Sequence, residues 1–215
     1  MSLIPEAAIQ RLPCTNSLRA SVILLHGYAS EARAQLGDGG AFVTGGTEVL
    51  LPDAPGHGRR EDGRLARIAA LPDEVRPAAI HNIAREWVGE LPALAAQCRA
   101  RGAQRVGLVG ISMGGFAALG SLAQPCSFDA VAAVLAGPAL VDRDAIIAGS
   151  PPLLVGLAGK DCAVPPGPGR EFSREYGAEL HEYPESEHFM REVDWLDLWG
   201  RVAAFLRGHL HADGV

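Results

Sequence analysis

The sequence predicts an α/β fold, a mainly parallel central sheet with helices on both faces. Two observations carry that expectation. Short apolar runs recur along the chain and stop at a glycine or proline, and longer segments with helical periodicity lie between them. A strand covered on both faces reads as an unbroken apolar run, and alternation of such runs with helices builds a parallel sheet through crossover connections.

The strand runs come in order. Residues 21–25 (SVILL) end at His26-Gly27, residues 47–51 (TEVLL) at Pro52-Asp53, and residues 105–109 (RVGLV) at Gly110. Residues 130–135 (AVAAVL) end near Gly137-Pro138, and residues 153–158 (LLVGLA) at Gly159. Residues 179–183 (ELHEY) are more polar and suit an edge strand. Between these runs, residues 77–101 set Ile80, Ile83, Trp87, Leu91, Leu94 and Cys98 at spacings of three and four, one apolar stripe facing the sheet. Gly102 stops this helix, and Pro92 is expected to kink or divide it. Residues 113–123 are small and apolar all round, as a helix buried at the sheet centre would be. Residues 194–210 carry Trp195, Leu198, Val202, Phe205 and Leu206 on one side. Residues 37–46 hold five glycines, so a first helix there is short or broken. Residues 161–169 (DCAVPPGPG) read as a turn-rich loop.

Bulk properties narrow the function. A chain of 215 residues fits one α/β domain over 1–215, and no repeat or linker marks a second. The net charge of −6 argues against nucleic acid and anionic membrane as partners. Cys14, Cys98, Cys126 and Cys162 form no CxxC pair, which argues against a zinc site, and nothing demands a disulfide framework. No signal peptide and no 18-residue apolar run is present, so the expected location is the cytoplasm.

The chemistry concentrates at Gly110-Ile111-Ser112-Met113-Gly114. The motif follows a strand run and opens a helix, the context in which the serine sits on a strained turn with Oγ pushed out of the sheet. The helix N-terminus then favours negative charge nearby. A serine nucleophile needs a base, and the chain has seven histidines. His188 follows the last strand run and opens on the strand C-terminal edge, where Ser112 also lies. His181 falls within a strand, His81 within a helix and His209 and His211 at the tail, while His26 and His57 lie on the correct edge but before the serine. The orienting carboxylate is Asp161, directly after the run 153–158, with Asp142 and Asp144 as rivals and Glu185 and Glu187 less favoured by their closeness to His188. Acyl transfer also needs two backbone N–H groups for the oxyanion. Met113 supplies one; Tyr28, with Ala29 as the alternative, supplies the other, and His26 braces that loop. In Asp53-Ala54-Pro55-Gly56-His57-Gly58-Arg59-Arg60, Asp53 is expected to bond backbone amides. Arg59 and Arg60 read as surface before they read as contacts to a substrate anion.

These segments, with Gly159-Lys160-Asp161-Cys162-Ala163-Val164-Pro165 and the loop around His188, resemble the α/β-hydrolase superfamily from about residue 21 to the C-terminus. Within it the chain is most similar to small bacterial esterases and the monoacylglycerol-lipase or dipeptidyl-peptidase-like group. The resemblance implies an α/β-hydrolase fold and a serine hydrolase without metal or organic cofactor. It implies the triad Ser112, Asp161 and His188, in the order usual for that fold, and the oxyanion donors Tyr28 and Met113. The stretch 29–46 lacks the usual well-formed helix. The segment between Leu135 and Leu153 is short, with room for one small helix at most over 139–149, so a minimal lid or none is expected. An open site suits small, soluble, short-chain acyl esters. Thioester, amide or peptide hydrolysis and perhydrolysis remain open with the same triad, whereas a non-catalytic binding scaffold fits poorly with a complete one.

Overall fold

The inner strands and the long helices follow the apolar pattern closely. The computed structural model describes residues 4–124, 127–146 and 150–211; Cys126 and residues 147–149 lie outside them. Among the described residues seven strands form one sheet: β1 (Ile9–Leu12), β2 (Ala20–Leu25), β3 (Thr47–Pro52), β4 (Arg105–Ile111), β5 (Ala130–Val134), β6 (Leu153–Ala158) and β7 (Glu179–Tyr183). Their order across the sheet is β1-β3-β2-β4-β5-β6-β7. Every pairing is parallel except β1 with β3. All six strand runs form strands, and β7 stands at the edge as its polarity suggests. Leu135 leaves β5 early, turning out at φ 55°.

Alternate side chains of the strands feed two cores. Ile23, Leu25, Leu108 and Val155 face α3 (Arg76–Ala100), α4 (Met113–Gly120) and α5 (Pro166–Tyr176). Val22, Leu24, Val109 and Leu154 face α6 (Glu192–Leu210) and the segment around Phe42. The first helix is short, as its glycines require: a single 3-10 turn, Ala32–Gln35, runs into α1 (Leu36–Gly40).

Four elements depart from the pattern. β1 was not anticipated, because IQRL is half polar and is held by its pairing to β3 rather than by an apolar run of its own. A further short helix, α2 (Arg64–Ala69), buries only Ile68. Helix α5 starts inside the stretch expected to be a loop. Proline suits the first helical turn, where its missing N–H has no partner to lose, so Pro166 starts α5 rather than blocking it. Gly169 lets α5 lie close to β6, since a Cβ there would stand 3.0 Å from Leu157. Pro92 does not divide α3, which runs unbroken with Ile83, Trp87, Leu91, Leu94 and Cys98 buried on both sides of it. Each such side chain contributes roughly 1.5–3 kcal/mol when fully buried, enough to offset the lost hydrogen bond.

No helix stands between β5 and β6 among the described residues. No helix among them is long and apolar enough to cross a membrane.

Gly89 sits on the exposed side of α3, and an added Cβ would meet nothing within 4 Å. Replacing it with alanine removes backbone freedom from the unfolded chain only. Gly89→Ala should therefore raise the stability measured by urea unfolding by about 0.5–1 kcal/mol, and a lower midpoint would contradict this reading of α3.

Candidate active site

The site grows from one turn. β4 ends at Ile111, α4 begins at Met113, and Ser112 between them takes φ 53° and ψ −112°. A non-glycine residue in this region is strained by about 1–3 kcal/mol, so its surroundings must hold it. They do: its N–H donates to the Val134 carbonyl of β5 at 2.8 Å, and its own carbonyl accepts the Phe116 N–H at 3.0 Å. The flanking glycines make the turn sterically feasible. A Cβ on Gly110 would stand 2.1 Å from the Gly114 carbonyl oxygen, and one on Gly114 would stand 2.5 Å from that of Leu25.

Ser112 Oγ lies 3.0 Å from His188 Nε2, and His188 Nδ1 lies 2.7 Å from Asp161 Oδ2. A carboxylate only accepts, so Nδ1 carries the ring proton and Nε2 presents its lone pair to the serine hydroxyl. The other Asp161 oxygen accepts the N–H groups of Ala163 and Val164 at 2.9 and 2.8 Å, which fixes the carboxylate as an acceptor. The Asp161 side chain is 1% exposed and that of His188 22%, so the line runs from the interior to the rim.

Both loops that carry these residues are tied together. The Lys160 N–H donates to the Ser186 carbonyl at 2.8 Å. Ser186, fully buried, donates its hydroxyl to Asp194 at 2.6 Å and accepts the Arg191 N–H at 3.3 Å. Two of the alternative carboxylates are engaged elsewhere. Asp142 accepts the amides of Asp144 and Ala145 in an exposed turn, and Glu185 pairs with Lys160. The other histidines are occupied too: His181 lies on Glu179, His211 on Thr47, His209 on Phe205 and His81 on Phe116.

The loop after β2 passes beside the serine, with the Cβ position of Gly27 3.6 Å from Ser112 Cβ. The Ala29 amide in this loop is engaged, donating to His57 Nε2 at 3.2 Å. Met113, as the first residue of α4, has an N–H outside the helix's own ladder. His26 braces the loop: its Nε2 accepts the Ala54 N–H at 3.0 Å and its Nδ1 donates to the Gly27 carbonyl at 2.8 Å. Asp53 accepts the Ala32 and Arg59 amides at 2.8 and 3.0 Å. Arg60 is held by Glu90 through two bonds of 2.8 and 2.6 Å, and Arg59 is exposed. The bond from Ala29 to His57 had no signal in the sequence, because it joins loops 28 residues apart. Among the described residues no group of His, Cys, Asp or Glu side chains is arranged to hold a metal ion.

A model of the alpha/beta hydrolase family matches residues 22–213. Among solved structures, esterase PE8 is 25% identical, with 93% of this chain and 97% of its own covered and a TM-score of 0.69. Acyl-protein thioesterase 2 of Zea mays is 13% identical, with 92% and 98% covered and a TM-score of 0.63. Esterase 2 of Thermogutta terrifontis, in a form phosphorylated by paraoxon, is 14% identical, with 93% and 87% covered and a TM-score of 0.67. No curated protein matches the chain.

Burial lowers the His26 imidazolium from its ordinary 6.5 to about 4. The unfolded chain therefore takes up this proton first, so stability is complete above pH 6.5 and falls as the pH drops toward 4. The whole effect is about 3 kcal/mol, of which roughly 2 kcal/mol should be lost by pH 5. His57 and His81, whose imidazoliums burial also lowers, add loss of the same sign, whereas the ion-paired Glu182 and Asp197 act only near and below their own ordinary values of 4.5 and 3.8. Urea unfolding at pH 7.5 and at pH 5 measures the difference; equal stabilities would contradict a neutral, buried His26.

Proposed function

The chain belongs to the alpha/beta hydrolase family, and from that premise we propose that it is a serine hydrolase cleaving small carboxylic esters through an acyl-serine intermediate. The observation that supports this most is the unbroken hydrogen-bonded line from Ser112 Oγ through His188 to Asp161. Ester chemistry is favoured by an esterase among the similar structures that is 25% identical over most of both chains.

In this reading Ser112 attacks the acyl carbonyl while His188 Nε2 takes its proton. Asp161, already bound to Nδ1–H, stabilises the imidazolium that forms. The carbonyl oxygen becomes negative and is received by the N–H groups of Tyr28 and Met113, with the positive end of α4 behind them. The imidazolium then gives its proton to the departing alkoxide. Water enters, His188 removes its proton, and the hydroxide attacks the acyl-serine. The second tetrahedral species collapses to the acid and free Ser112 as the serine oxygen recovers its proton.

Residues 1–215 act as one catalytic domain on a dissolved acyl ester in the cytoplasm, without metal, cofactor, nucleic acid or membrane. The absence of a helix between β5 and β6 among the described residues, where a lid would stand, favours short acyl chains.

With p-nitrophenyl acetate as substrate, Ser112→Ala should lower kcat/KM by about 10⁴-fold or more, and Asp161→Asn by roughly 10³–10⁴-fold. Full activity in Ser112→Ala would overturn the assignment. Across p-nitrophenyl esters, kcat/KM should fall from acetate or butyrate to palmitate; a preference for palmitate would remove the short-chain part of the reading.

A further inference from the structure

We propose that His26 and His57 are positioning residues for the oxyanion hole, holding the two successive peptide groups that flank Tyr28 so that its N–H faces the acyl oxygen above Ser112. The inference rests on the reading of Ser112 as the nucleophile and extends it to two side chains that touch no reacting atom.

The first peptide group joins Gly27 to Tyr28. Its carbonyl accepts His26 Nδ1–H at 2.8 Å and the Ser30 N–H at 3.3 Å. In a trans peptide the C=O and N–H point in opposite directions. Anchoring the Gly27 carbonyl on the buried His26 ring therefore turns the Tyr28 N–H away from that ring. The second peptide group joins Tyr28 to Ala29, whose N–H donates to His57 Nε2 at 3.2 Å. Ala29 is left-handed, with φ 57°, a conformation that costs an alanine about 1–2 kcal/mol and needs a restraint. The bond to His57 is that restraint.

The two rings are themselves fixed. His57 is fully buried; its Nδ1 donates to the Pro55 carbonyl at 3.0 Å, and its ring lies 5.2 Å from His26 and edge-on to Tyr28 at 5.8 Å. His26 lies 5.2 Å from the Trp87 ring and accepts the Ala54 N–H. Each histidine thus has Nδ1–H donating to a carbonyl and Nε2 accepting an amide, so each works only as the neutral Nδ1–H tautomer. The facing charges are mixed: Asp53 draws a proton toward both rings and Asp62 toward His57, while Arg64 opposes it at His57. Burial outweighs them and lowers both imidazoliums. A proton on Nε2 of His57 would set a donor against the Ala29 N–H and release the loop.

The test compares His57→Leu with His57→Gln on p-nitrophenyl acetate, with the thermal midpoint of each recorded. Leucine fills space without an acceptor, whereas the glutamine amide supplies one. His57→Leu should lower kcat by about 10–100-fold at nearly unchanged KM, the range expected of a misaligned oxyanion donor, and His57→Gln should recover most of it. Wild-type kcat in a folded His57→Leu, or loss that glutamine does not restore in a folded protein, overturns the proposal. Should the leucine variant not fold, nitrogen-15 spectra of the wild-type imidazoles decide instead. The Nδ1–H tautomer at both histidines at neutral pH supports the proposal, and an Nε2–H tautomer at either overturns it. Failure of the hydrolase reading looks different: the wild type would then have no activity that Ser112→Ala removes.

Discussion

Everything at this site depends on the backbone of Ser112. A left-handed serine between a strand and a helix is unfavourable in isolation, and it survives because three neighbours leave it no alternative. β5 takes its N–H, α4 takes its carbonyl, and the packing of α4 against β2 is so close that Gly114 has no room for a side chain. The turn is thus determined by the centre of the sheet, the most heavily buried part of the molecule. The nucleophile candidate inherits that rigidity, and its hydroxyl is carried to the C-terminal edge of the strands.

That edge then dictates how the other groups can arrive. Parallel strands deliver all their following loops to the same side, so the loops after β2, β3, β6 and β7 meet around one serine. They are joined in pairs by buried polar side chains. The loops after β6 and β7 are tied through Ser186 and its partners, which sets His188 against Asp161. The loops after β2 and β3 are tied through His26, His57 and Asp53, which sets the peptide groups beside Tyr28. Buried polar groups that are fully bonded give a unique geometry, and here His26, His57 and Asp53 each make one bond that crosses from one loop to the other, to the N–H groups of Ala54, Ala29 and Ala32. Geometry built this way owes little to the surface, where Arg59 is exposed and Lys160 pairs with Glu185.

The legible features were those set by local pattern. Apolar runs bounded by glycine and proline placed five strands and a more polar run the edge strand β7, periodicity placed α3 and α6, and an apolar stretch without a polar side placed α4. The glycines around Ser112 marked a turn, and chain order brought out Asp161 and His188, which do stand in one hydrogen-bonded line with it; their roles in a reaction belong to the proposal. What escaped was decided by tertiary contact. β1 is too polar and too short to announce itself, and exists through its pairing with β3. The proline and glycine of α5 carry the same letters as a loop, but one suits the first helical turn and the other a close approach to Leu157. His57 was one of three histidines on the correct edge, and only the meeting of two loops gives it the Ala29 amide.

The central claim is that Ser112 is the nucleophile, activated by His188. Its most direct measurement is the mass of the chain after brief treatment with a fluorophosphonate, followed by peptide mapping. One adduct per chain, on Ser112, absent from heat-denatured protein and greatly slowed by His188→Ala, is the predicted result. A native chain that stays unlabelled, or that is labelled at another residue, would contradict it.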